Sequence, residues 1–165
     1  MHEPALPVHY HSTIWLILRI GLIAGTLDIA DALIFSGLRG ATPSMVFHYI
    51  ASGLIGMKAF EMGFAAVVLG IAIHYTIATS WTAIFYAASR RFKILLRRPV
   101  TSGLLYGMVV YVIMNFIALP LSGVPHSNKP VPLISRVNGV LALMLCIGLT
   151  VALLLRRDAV SRSEI

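Results

Sequence analysis

The sequence predicts an all-α integral membrane protein: a four-helix bundle with a short interfacial or re-entrant helix in its first outer connection. Three observations carry that prediction. The 165 residues are 58% hydrophobic and only 12% charged, where a soluble domain runs at about 45–50% and about 25%. Mean hydropathy is +0.88. Four apolar stretches, at 14–35, 63–86, 101–121 and 137–155, are long enough to cross a hydrocarbon core, which takes about 20 helical residues. Together these exclude a soluble enzyme, a disordered chain and a disulfide scaffold. The single cysteine, Cys146, excludes an internal disulfide and a cysteine-rich zinc site, and reads as a small packing residue.

The tail at 1–13 carries Pro4, Pro7 and the histidines His2, His9 and His11, but no Lys or Arg. Lacking the basic start of a signal peptide, it predicts that the first span stays in the mature protein. The three histidines resemble a metal-capturing tail. Residues 14–158 then form one membrane domain, and 159–165 a second tail on the same side as the first.

Span one holds Asp28 and Asp31. Each acid costs roughly 2.5–3.5 kcal/mol near a helix centre, and each Leu, Ile or Phe recovers about 0.3–0.6 kcal/mol, so insertion is marginal and the acids need compensation. In the first connection, Thr42 can cap a helix and Pro43 suits its first position. Met45, Val46, Tyr49 and Ile50 continue at helical spacing, predicting a helix over 43–56 that is too short to span. His48 and His126 read as loop histidines, and Lys58 with Glu61 as a surface ion pair. The second outer connection, 122–136, with Pro125, Pro130 and Pro132, reads as a stiff, extended strap.

Of the 13 basic residues, nine fall on the side of the termini: Arg19, Arg90, Arg91, Lys93, Arg97, Arg98, Arg156, Arg157 and Arg162. Arg39, Lys58, Lys129 and Arg136 fall on the other. By the positive-inside rule both termini are cytoplasmic. Trp15, Trp81 and Tyr86 near those helix ends agree as interfacial aromatics. The net charge of +7 is thus a topology signal and not a nucleic-acid footprint, with the run from Arg90 to Arg98 a contact for anionic lipid.

At 100° per residue, Gly21, Gly25, Asp28, Ala32 and Phe35 share a face, with Asp31 at its margin. Gly63, Val67, Gly70, His74, Ala78 and Trp81 share one in span two, and Gly103, Gly107, Tyr111, Met114 and Ala118 one in span three, Asn115 beside it. Gly21, Gly25, Gly70, Gly103 and Gly107 are therefore candidate helix-packing positions. Counting rise per residue, His74 and Tyr111 lie near their midpoints, Asp28 and Asn115 about 5 Å outward and Asp31 about 9 Å outward. Bundling on the small faces would gather Asp28, Asp31, His74, Tyr111 and Asn115 into an intramembrane polar cluster, with Asp28 meeting His74, Tyr111 or Asn115. Asp31, nearer the surface, reads as a solvated acid, and Pro120 as a kink that frees a carbonyl. Span four offers Asn138 and Gly139 near its outer end and little polar beyond. One central histidine gives one axial ligand, so haem is not expected, and no catalytic, metal or cofactor motif is present.

Gly21-Leu-Ile-Ala-Gly25, His74, Gly103-Leu-Leu-Tyr-Gly107, Pro120-Leu-Ser-Gly-Val-Pro125 and Arg156-Arg157-Asp158 form an ordered set. The set resembles the small bacterial four-helix inner-membrane proteins of the YagU type. The resemblance implies an inner-membrane location and a link to acid resistance. The chain departs from that pattern in its first outer connection and in having no histidine in span four.

Three functions fit. The first is an accessory or structural component packing through its small-residue faces, as a homo-oligomer or within a larger membrane complex, against lipid and without nucleic acid. The second is an oligomeric proton, ion or small-solute transporter using the polar cluster. The third, an intramembrane enzyme, lacks a nucleophile motif. Cysteine labelling in a Cys146→Ala background should mark Ser127 from the periplasm and Lys93 only after permeabilisation; the reverse would overturn the topology.

Overall fold

A computed structural model describes residues 10–125 and 130–163. The described chain is all-helical. Its elements are α1 (Tyr10–Gly37), α2 (Pro43–Ile55), α3 (Phe64–Arg91), a short α4 (Ile94–Arg97), α5 (Pro99–Leu121) and α6, whose three parts are Leu133–Ala142, Leu143–Leu149 and Thr150–Ser163. Four of these, α1, α3, α5 and α6, are long and apolar enough to cross a membrane.

Local chemistry sets the boundaries. Thr42 Oγ1 accepts the Met45 N–H at 3.3 Å and Pro43 opens α2. Pro99 opens α5, where its missing N–H and fixed φ cost nothing. A 3₁₀ turn, Gly56–Phe60, follows α2 and leads to Gly63, whose φ of 56° suits a residue without a Cβ. Two helices run several residues past the C-terminal ends of their apolar stretches. α3 ends on Arg90 and Arg91, whose charges suit the C-terminal end of the helix dipole, and α6 continues past Arg156 and Arg157 to Ser163.

Five glycines bring helices together inside the chain. A Cβ added at Gly21 would lie 2.8 Å from Thr79 Cα, and one at Gly25 3.0 Å from Ala78 Cβ, so α1 is pressed onto α3. A Cβ at Gly103 would sit 2.7 Å from Gly148 O, and one at Gly107 2.8 Å from the Leu143 carbonyl carbon, so α5 is pressed onto α6. Gly70 faces α2 and not another span: its Cβ would lie 2.9 Å from the Phe47 carbonyl carbon. Between these contacts lies the main core, formed by Leu16, Ile20, Phe85, Ile147, Val151 and Leu155 with Ala24, Ala78 and Ala152. Leu22, Val68, Val109 and Leu153 are exposed on the outer faces, as spans in an apolar solvent allow.

Several expectations need correction. The connection after α5 is not extended throughout 122–136, because α6 begins at Leu133 directly after Pro132. Pro120 does not produce a simple kink. The helix widens just before it, with Leu119 N–H reaching Met114 O five residues back, which relieves the clash a proline ring makes with the carbonyl four residues before it. A second widened stretch, Leu143–Leu149, has no proline, and Thr150 N–H bonds Leu145 O across five residues. Lys58 and Glu61 are both exposed and no ion pair joins them. His48 is not a loop histidine: it is 9% exposed within α2, its Nδ1 2.6 Å from Ser44 O, its ring stacked on Phe60. His2, His9 and His126 lie outside the described residues.

The glycine contacts predict a graded response. Gly103→Ala should destabilise the fold by about 1–3 kcal/mol through overpacking, whereas Gly37→Ala, with nothing within 4 Å of the new methyl, should be close to neutral. Denaturant unfolding in detergent micelles checks both.

Candidate functional site

The glycine contacts at the α1–α3 and α5–α6 seams draw the spans together on the side of the termini and at mid-bundle. Toward the α2 end the four long helices stand apart and enclose a cavity of about 830 Å³. Asp28, Asp31, His74, Tyr111 and Asn115 all line it, each from the helix face described above. None of the five packing glycines does. α2 supplies one wall through Tyr49, Ile50 and Leu54, and Gly123 N–H, just past α5, donates to Gly53 O at 2.9 Å to hold that wall in place.

Hydrogen bonding sorts the polar residues. His74 Nε2 lies 2.8 Å from Gly25 O. A carbonyl only accepts, so Nε2 carries the proton, and a neutral ring leaves Nδ1 as an acceptor. Asn115 Nδ2 donates to Tyr111 O at 3.0 Å, one helical turn back. Asn138 Nδ2 donates to Asp31 Oδ2 at 2.8 Å, tying α6 to α1. Asp31 is therefore partly buried and held, not simply a solvated helix-end acid. Asp28 makes no hydrogen bond to His74, Tyr111 or Asn115, nor to any other described residue; its carboxyl opens into the cavity. The histidine that might have met it bonds instead to the backbone one turn earlier in α1.

The cavity is closed at depth. Ala78 and Ile147 belong both to its lining and to the main core. Trp81 also lines it, and Tyr106 beneath donates its hydroxyl to Trp81 O at 2.6 Å and meets Phe85 edge-on at 4.9 Å between centroids. This apolar plug separates the cavity from a smaller one of about 420 Å³ at the other end, lined by Leu16, Leu155, Ser89, Arg90, Lys93 and Asp158 among others. At the α2 end, Arg136 lines the large cavity while remaining exposed, and the Arg39 guanidinium lies 3.8 Å from the centroid of the Phe35 ring, which is also part of the wall. Among the described residues no group of three or more His, Cys, Asp and Glu is placed to hold a metal ion.

Sequence reasoning did not join Asn138 to the cluster. The signal was available: the depth count that puts Asp31 about 9 Å outward puts Asn138 about 12 Å outward in its own span, so the two lie nearly level. Trp81, seen as an interfacial aromatic, instead lines the inner part of the cavity. No family model, curated protein or solved structure matches this chain.

The Asn138–Asp31 bond has a measurable weight. Asn138→Ala should cost about 1 kcal/mol, the scale of interhelical hydrogen bonds in membranes, read as a fall in unfolding free energy that Asp31→Asn does not add to in the double variant.

Proposed function

We propose that this chain is a transporter of the bacterial inner membrane, with both termini in the cytoplasm, that moves a small solute through the chamber, Asp28 taking up the proton or cation. The observation that supports this most is the cavity of about 830 Å³ that gathers Asp28, Asp31, His74, Tyr111 and Asn115. Its volume falls in the range of about 300–1,000 Å³ typical of small-molecule sites. Ionisable residues inside a bundle are costly and commonly mark ion or proton paths.

The plug adds to the case. An open chamber, an apolar barrier and a second, basic cavity beyond it make a pathway closed on one side. The accessory reading drew on the small-residue faces, and Gly21, Gly25, Gly70, Gly103 and Gly107 all meet neighbours within the chain. Those faces are thus not free to bind a partner. The chamber also lies within one chain, so a homo-oligomer would multiply chambers and is not needed to build one.

Proteoliposomes with a trapped pH-sensitive dye test this proposal under an imposed proton gradient. The wild type should dissipate the gradient, and Asp28→Asn should reduce the flux to that of protein-free vesicles while leaving the thermal midpoint nearly unchanged. Asp31→Asn should be milder. Equal, mild effects from both variants would count against Asp28 as the carrier of charge, and a large loss of stability from Asp28→Asn alone would make it a structural residue.

A further inference from the structure

The chamber has a charge and a shape, and together they specify what it takes. We infer that its ligand is a monovalent, lipophilic organic cation, an aryl- or alkyl-substituted ammonium or phosphonium, seated with its charge at Asp28; the inference rests on the transport reading above and names the class of its solute.

Charge comes first. The lining holds two carboxylates, Asp28 and Asp31, against one guanidinium, Arg136. Arg136 is exposed, whereas both acids are partly buried. Asp31 already accepts a hydrogen bond from Asn138 Nδ2, and Asp28 accepts none from any described residue. The deeper of the two carboxyls is thus the one left open to the cavity. Neither neighbouring polar side chain bonds Asp28: His74 uses its Nε2 proton on Gly25 O and Asn115 one of its two amide protons on Tyr111 O. A neutral His74 keeps Nδ1 as an acceptor, and Asn115 keeps its amide oxygen together with one N–H. Two carboxyl groups against one exposed guanidinium suit a cation better than an anion.

Size and wall chemistry then exclude a bare ion. A cavity of about 830 Å³ is far larger than a metal ion needs, and the described residues offer no metal-ligand group. The walls are mainly apolar, with the Trp81, Tyr111 and Phe35 rings among them. Aromatic faces attract cations, most strongly when desolvated, and Phe35 already carries the Arg39 guanidinium over its ring at 3.8 Å. An organic cation gains from the carboxylate, from the rings and from the apolar surface at once.

The test uses two ions of nearly one shape and opposite charge, tetraphenylphosphonium and tetraphenylborate. The protein has two tryptophans, and Trp15 is 68% exposed, so Trp15→Phe leaves Trp81 in the chamber wall as the sole reporter. In detergent micelles the phosphonium should quench Trp81 saturably and the borate should not. Asp28→Asn should weaken phosphonium binding by about 30-fold or more, the scale for removing one partner of a desolvated charge pair, and Asp28→Glu should restore most of it. Borate binding as tight as phosphonium binding would overturn the cation class while leaving the chamber as a solute site. Saturable quenching by neither ion would overturn the inference outright. The transport reading would then stand or fall on the proton-flux comparison of wild type and Asp28→Asn, which uses neither ion.

Discussion

The close approach of helix backbones at glycine is the constraint on which the rest of the structure depends. Gly103, Gly107 and Gly148 let α5 and α6 meet backbone to backbone, Gly21 brings α1 against the α3 backbone at Thr79, and Gly25 seats the Ala78 and Tyr75 side chains. Packing is what holds helices together in an apolar solvent, where no hydrophobic driving force favours helix over lipid. These seams also dictate the cavity. Helices pinned together along part of their length diverge where larger side chains face inward, and at the α2 end the inward positions carry Asp31, Phe35, Tyr111 and Met114. Gly70, the glycine of α3 nearest that end, is covered by the Phe47 backbone of α2. α2 therefore occupies the small-residue face of α3 at that end, and it walls the chamber through Tyr49, Ile50 and Leu54.

Two acids three residues apart on one helix have been given different surroundings. Asp31 is bonded across the bundle to Asn138, a neutral donor that orients a carboxylate without cancelling its charge. Asp28, one turn deeper, faces the cavity and has the His74 ring nearby on α3, yet His74 is anchored to Gly25 O by Nε2. Anchoring the imidazole through one nitrogen fixes the direction of the other. The result is a cluster whose geometry is held by backbone carbonyls and by one interhelical amide, not by a closed ion pair that would neutralise it.

The faces of the spans were legible because glycine, acid and histidine recur at helical spacing against an apolar background. Gly21, Gly25, Asp28, Ala32 and Phe35 fall on one stripe, and the structure sets its glycines against α3 and its other members on the cavity. Thr42-Pro43 announced α2 for equally local reasons. The widened turns were not legible. A stretch such as Leu-Met-Leu-Cys-Ile-Gly-Leu at Leu143–Leu149 is apolar all round, so no amphipathic period exists for the extra residue to interrupt. The burial of His48 also escaped. Its position off the apolar stripe of α2 placed it away from the core, but Ser44 and Phe60 close over it, and a contact with the following 3₁₀ turn has no periodic trace.

The widened stretch Leu143–Leu149 gives α6 one residue more than an α-helix of the same length would use. It divides α6 into a part anchored in the plug by Val151 and Leu155 and a part that carries Ser135, Arg136 and Asn138 into the chamber wall. Leu145 O, within it, accepts both the Thr150 N–H and the Thr150 hydroxyl at 3.0 Å, so the irregular turn has its own latch. Recasting that turn as α-helix would shift the outer part by about 1.5 Å along the axis and turn it by about 100° relative to the plug. The Asn138 amide would then leave Asp31. The widened turn thus sets which face of the outer part of α6 meets the chamber, one residue out of step with the anchor.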